Sequence, residues 1–181
     1  FKELVKQYLS EHKPGIVGVT TIASEHNAAI EALSVVRELD PDILTVAGGL
    51  HATLCPFDYE RDLVDVLLPG QSALVMRDVV SAFIEERSLE SVPGIGLRGP
   101  DGLRFTPRLE RPIDGALAQF VMPDRSYIKR WISTYIVGTS VHPATYVFTS
   151  LGCPYKCTFC SIWPGFDGRY YKRDVESIVS E

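Results

Sequence analysis

The sequence predicts an α/β fold, a parallel sheet flanked by helices, followed by a region of different character. Three observations lead there. Short β-rich apolar runs alternate with stripes of apolar residues at helical spacing. The connections between them are short, which favours βαβ units. The runs end in glycine or hydroxyl residues, which suit the carboxyl edge of an open sheet, where ligands bind and the chain turns sharply.

Phe1, Leu4, Val5, Tyr8 and Leu9 recur at helical spacing, so 1–12 reads as an amphipathic helix ended by Pro14-Gly15. The run IVGVTT at 16–21 is a buried strand. Ala29, Ala32, Leu33 and Val36 mark the next helix, stopped by Asp40-Pro41-Asp42. A second strand, 43–47, runs into Gly48-Gly49, and 56–63 reads as a turn or short helix. A third strand, 64–68, is closed by Pro69-Gly70, and Val75, Met76, Val79, Val80 and Phe83 form a last helical stripe. Beyond it the chain is rich in Pro and Gly. Residues 94–98 and 103–106 flank Gly99-Pro100-Asp101-Gly102, a hairpin turn signal. Tyr127, Trp131 and Tyr135 read as packing residues, and 145–150 reads as a strand. Asp174 is placed to cap a final helix with Val175, Ile178 and Val179 on its inner face.

Bulk properties narrow the function classes. The 181 residues, 45% hydrophobic and 23% charged, suit an ordinary globular protein. No apolar run reaches the length of a membrane span. The net charge is −5, and no basic helix is interleaved with aromatics, so a nucleic-acid partner is not expected. The chain begins at Phe1 with no secretory signal in view, so the gene's start is expected to lie upstream.

The chemistry concentrates in Gly152-Cys153-Pro-Tyr-Lys-Cys157-Thr-Phe-Cys160, a C-x3-C-x2-C run without a fourth cysteine nearby. A [4Fe–4S] cluster held by three thiolates keeps one iron open to a small molecule. A zinc site would need another ligand, and the nearest histidine is His142. Three of the four cysteines crowd into this run, unlike the disulfide framework of a small secreted domain. Oxidation-sensitive thiolates point to a reducing, cytoplasmic setting. His12 and Cys55 read as structural or incidental.

With Phe159 just before its third cysteine, the triad resembles the cluster signature of radical S-adenosylmethionine (SAM) enzymes. The resemblance implies that Cys153, Cys157 and Cys160 hold the cluster and that Phe159 lies near the SAM adenine. In that family the open iron chelates SAM, and one electron splits it to methionine and a 5′-deoxyadenosyl radical. An electron donor such as flavodoxin or ferredoxin is implied with it.

The stretches IVGVTT at 16–21, DPDILTVAGGLHAT at 40–53 and VDVLLPGQSA at 64–73 look like the Rossmann-like cobalamin-binding domain that precedes the barrel in one branch of that family. The resemblance implies that Thr20, Thr21, Gly48, Gly49, His51 and Gly70 cradle the corrin and its tail. Two features depart from it. Gly70-Gln71-Ser72-Ala73 stands where the branch usually has Gly-Glu-Gly-Glu, and no Asp-x-His-x-x-Gly motif supplies a cobalt ligand. His26 and His51 do not replace that ligand by spacing.

The implied organisation is an N-terminally truncated cobalamin domain at 1–90, a linker at 91–144, and the start of a radical SAM β/α barrel at 145–181. The implied function is radical generation for methyl transfer to an unactivated carbon of a small-molecule substrate, with no residue of this chain assigned a catalytic role. The fragment alone is expected to be inactive. Cyclisation or rearrangement with a vestigial cobalamin domain, and a non-catalytic corrinoid-binding module, are the alternatives. A methylthiotransferase is rejected, because it would need three more cysteines in the N-terminal part, where only Cys55 occurs.

Overall fold

The structure, a computed structural model, describes residues 1–59, 62–70, 73–108, 122–135, 143–166 and 168–181. Helix α1 (Lys2–His12) buries Leu9 and ends where Lys13 turns left-handed, its N–H donating to the Leu9 carbonyl. Strand β1 (Ile16–Thr20) leads to α2 (His26–Leu39), β2 (Leu44–Gly48) and the short helix α3 (Leu50–Leu54). After the 3-10 turn Pro56–Tyr59 come β3 (Val66–Leu68), α4 (Ala73–Ile84) and the hairpin β4 (Gly96–Gly99) and β5 (Gly102–Phe105).

These five strands form one sheet in the order β1-β2-β3-β4-β5. The first three are parallel and β4 and β5 are antiparallel additions. Both faces are covered, so alternate residues of one strand enter different cores. Val46, Val66 and Leu68 pack with Val79 and Ala82 of α4 and with Val92, Ile95 and Leu97. Ala47 and Leu67 point the other way, onto Ile30 and Leu33 of α2, Ala52 of α3, and Tyr59.

The hairpin expected in the connecting segment therefore completes this sheet. Val92, Ile95 and Leu97 are too apolar to be left outside it, and all three are buried. The third strand is Val66–Leu68 rather than 64–68, and Asp65 just before it is tied to β2 through its backbone and side chain. Its carboxylate accepts from the Thr45 N–H at 3.0 Å and from Arg37 at 2.7 Å. Burial pushes the Asp65 carboxyl up, but the hydrogen bonds from Thr45 and Arg37 outweigh it and hold it below the usual range.

The C-terminal region holds a 3-10 helix (Arg125–Thr134), then β6 (Ser150–Gly152), α5 (Ile162–Gly165), β7 (Tyr170–Lys172) and α6 (Val175–Ser180). Strands β6 and β7 pair antiparallel. Three expectations change here. The strand placed at 145–150 is confined to Ser150–Gly152; pairing reaches back only to the Thr149 carbonyl, which accepts from the Arg173 N–H at 2.9 Å. Tyr127, Trp131 and Tyr135 are exposed, because their short helix presents them outward. Asp174 does cap α6, accepting from the Ser177 N–H at 3.1 Å, yet Val175 and Val179 face solvent. What seats α6 is the buried Arg173, which pairs with Glu181 and donates to the Ser177 and Phe148 carbonyls. Gln71, Ser72 and His142, named in the sequence reading, lie outside the described residues. No helix among the described residues is long and apolar enough to cross a membrane.

Candidate functional site at the strand exits and the cysteine loop

The parallel strands finish level with one another, Thr20 opposite Gly48 and Gly48 opposite Leu68. Just past this edge stand Gly49 after β2 and Gly70 after β3. Gly49 takes φ +95°, and a Cβ there would stand 2.6 Å from the Thr21 nitrogen and 2.7 Å from Thr20 Oγ1. No other residue fits, so β2 leaves the sheet in contact with the end of β1. The contact is fastened by backbone hydrogen bonds, Thr21 N–H to the Gly48 carbonyl at 3.1 Å and His51 N–H to the Thr21 carbonyl at 3.0 Å.

The structure brings Thr20, Thr21, Gly48, Gly49, His51 and Gly70 to this one edge. Thr20 is exposed, whereas Thr21 is buried and shares a 2.5 Å hydrogen bond with the Tyr59 hydroxyl. Burial pushes the Tyr59 phenol up, so it stays neutral; the bond to Thr21 works in the opposite direction. The His51 imidazole is turned away from solvent, its Nε2 2.9 Å from an Asp58 carboxylate oxygen and its ring 4.6 Å from that of His26. Its contribution to the edge is thus made through its backbone.

Sequence reasoning missed Thr53, which ties the exits together. Its hydroxyl donates to the Gly49 carbonyl and accepts from the Gly70 N–H, both at 2.8 Å. The usable signal was Gly49 followed four positions later by a hydroxyl residue, the spacing of one helical turn. Gly48, Gly49 and Gly70 put backbone rather than side chains at the exits of β2 and β3, at the edge where open α/β sheets bind ligands. These residues fit a cobalamin cradle.

The cysteine loop starts from β6. Gly152 has φ +78°, and a Cβ there would come within 2.1 Å of the Arg169 carbonyl oxygen on β7's side. Cys153 and Cys160 are half-buried, Cys157 is exposed, and all are free thiols. The Cys160 N–H donates to the Cys157 carbonyl at 3.1 Å, and Trp163 Nε1, also unforeseen, donates to the same carbonyl. The Ile162 N–H lies 3.4 Å from Cys160 Sγ, the kind of contact that stabilises a thiolate and tunes a cluster's potential. Three soft ligands on one exposed turn fit an iron–sulfur cluster. Phe159 is 92% exposed beside them. Helix α5, directly after the loop, packs on α3, where a Cβ on Gly165 would stand 3.2 Å from Leu50. The loop and the strand exits are therefore joined through the first helix beyond β2.

Comparison with known proteins places this arrangement. No family model matches the chain. Across 99% of its length it is 31% identical to an anaerobic magnesium-protoporphyrin IX monomethyl ester cyclase of Rubrivivax gelatinosus. Over 82% of its length it is 23% identical to the cobalamin-dependent radical SAM methyltransferase TokK of Streptomyces tokunonensis. The chain resembles the B12-binding-domain radical SAM proteins. It spans 32% of the cyclase and 22% of TokK, so it corresponds to a minor part of each. Two solved structures share the fold of this chain over 99% of its length. They are the radical SAM methyltransferase TsrM from Kitasatospora setae, covered to 36% (TM-score 0.71, 22% identity), and the cobalamin-dependent radical enzyme OxsB, covered to 24% (TM-score 0.76, 18% identity).

Proposed function

We propose that this chain binds cobalamin along the carboxyl edge of β1–β3 and a [4Fe–4S] cluster on Cys153, Cys157 and Cys160. It would thereby form part of a radical SAM enzyme that methylates an unactivated carbon of a small molecule. The observation carrying this reading is the packing of α5 on α3, which links a three-thiol loop to the carboxyl edge of the parallel strands. When bound, the groups supply SAM cleavage by one electron and a transferable methyl group.

The chain's own residues bind and orient. Gly48, Gly49 and Gly70 admit the corrin to the backbone. Thr20 offers an exposed hydroxyl, and Thr21 is held inward by Tyr59. Thr53 and the His51 N–H fix the loops from which the edge is made. The cysteines supply three thiolates, the Ile162 amide supports Cys160, and Phe159 offers an apolar face for the adenine. We read the chain as 1–90 for the cobalamin part, 91–144 for a connection whose hairpin joins that part's sheet, and 145–181 for the start of the barrel. On this reading it lacks activity alone, works in a reducing cytoplasm and draws electrons from a flavodoxin or ferredoxin. A cyclisation is the second reading, favoured by the 31% identity to the cyclase.

Anaerobic loading of the longer protein with iron, sulfide and hydroxocobalamin, followed by desalting, tests the proposal. About four irons and one cobalamin should remain per chain. Iron and sulfide without cobalamin would sink the methylation reading and leave a vestigial cobalamin domain. Cobalamin without iron would reduce the protein to a corrinoid carrier. With both retained, product mass distinguishes an added methyl group from ring closure.

A further inference from the structure

The His51 ring, Cys55 and Asp58 take no part in the function just described. We propose that these three side chains form a binding site for a zinc-class divalent cation, distinct from the cysteine triad. His51 and Cys55 are one helical turn apart on the same face, and the Cys55 N–H closes that turn on the His51 carbonyl at 2.8 Å. Pro56 then bends the chain into the 3-10 turn, which brings the Asp58 carboxylate to 2.9 Å from His51 Nε2. One ligand atom from each residue lies within 4.8 Å of the others. Zinc bonds of about 2.0–2.3 Å put tetrahedral ligands roughly 3.3–3.8 Å apart, so small side-chain rotations close the site.

The donor set selects the ion. An imidazole, a thiolate and a carboxylate suit zinc or cobalt, whereas magnesium and calcium take oxygen ligands. The imidazole is held in place, its side chain only 12% exposed and flanked by the His26 and Tyr59 rings. Cys55 and Asp58 are exposed, giving the ion a way in and leaving a fourth position to water. A His51–Asp58 ion pair alone does not account for Cys55, whose thiol and the Asp58 carboxyl, two acidic groups, converge on one imidazole. A bound cation would pin α3 to the Pro56–Tyr59 turn and so brace the exit of β2.

Anaerobic titration of Co2+ into the chain carrying Cys153→Ala, Cys157→Ala and Cys160→Ala tests this without competition from the triad. One Co2+ per chain should survive desalting, with a thiolate-to-cobalt charge-transfer band. Cys55→Ser should abolish that band, and Asp58→Asn should weaken binding about tenfold or more. Circular dichroism identical to the parent's shows that the loss is local. A band unchanged by Cys55→Ser, or no cobalt retained, overturns the site. Should the triple variant not fold, zinc content of the iron-loaded chain with and without Cys55→Ser decides in the same way. Because cobalamin and iron retention are measured separately, failure here leaves the proposed function standing.

Discussion

Gly49 is where the fold and the candidate cobalamin edge depend on the same atom. A methyl group there would overlap Thr20 Oγ1 and the Thr21 backbone at a φ that L-residues rarely adopt. Gly49→Ala should therefore cost about 2–3 kcal/mol in urea unfolding and reduce cobalamin retention with it. A variant of unchanged stability would show that the exits separate easily. Asp65 makes a different claim on stability. Its carboxyl is depressed in the folded state, so its contribution is complete above the unfolded carboxyl pKa and is lost as pH falls through the lower, folded value. Unfolding measured from pH 7 downward should show stability declining in that acidic window. Asp65→Asn should lose about 3 kcal/mol at pH 7 and flatten the decline. An equally steep acid limb in the variant would assign it to other carboxylates.

The elements differ in how much of them the sequence could reveal. The α2 and α4 helices and the parallel strands were legible because periodicity and burial agree; α1 was legible from its period alone, since Phe1, Leu4 and Tyr8 of its stripe are exposed and Leu9 is buried. Helix α3 was not, since its five residues are too few to show a period and it is fixed by bonds of its own His51 N–H to Thr21 and of its Thr53 hydroxyl to Gly70. The strand at 145–150 was misplaced because Tyr146, Val147 and Phe148 have strand-like side chains, although all three are exposed. In the candidate site, the cysteines were legible from spacing alone. Tyr59 on Thr21 and the Gly70 N–H on Thr53 are tertiary contacts that spacing does not encode. The β6–β7 ribbon sets the cysteine loop, and its tightest point is Gly152 against the Arg169 carbonyl. Gly152→Ala should lower bound iron after reconstitution at least severalfold while leaving the urea midpoint of the sheet unmoved. Full iron loading would mean that the loop tolerates a displaced ribbon.

At the scale of the molecule, packing and chemistry are unevenly shared. The buried apolar residues among those described run from Leu9 to Leu97. Beyond residue 122 the described chain buries Arg173 and leaves Tyr127, Tyr146, Phe148, Tyr155 and Phe159 largely exposed. Since apolar burial is the dominant favourable term, the five-stranded sheet should carry nearly all of the cooperative unfolding. The cysteine region then draws its order from Arg173, Glu181 and the α3–α5 contact. Residues 1–108 made alone should therefore unfold in a single urea transition, with a midpoint close to that of the whole chain. In the whole chain, hydrogen exchange should be slow in β1–β4 and fast from 143 to 181. Protection in that C-terminal stretch should rise once iron and sulfide are bound, because three thiolates drawn to one cluster restrain the loop that α5 carries to α3. A 1–108 fragment without a cooperative transition would show that the cysteine region is part of the folding unit. The packing of α5 over α3 would then have to be far stronger than the close approach of Gly165 to Leu50 suggests.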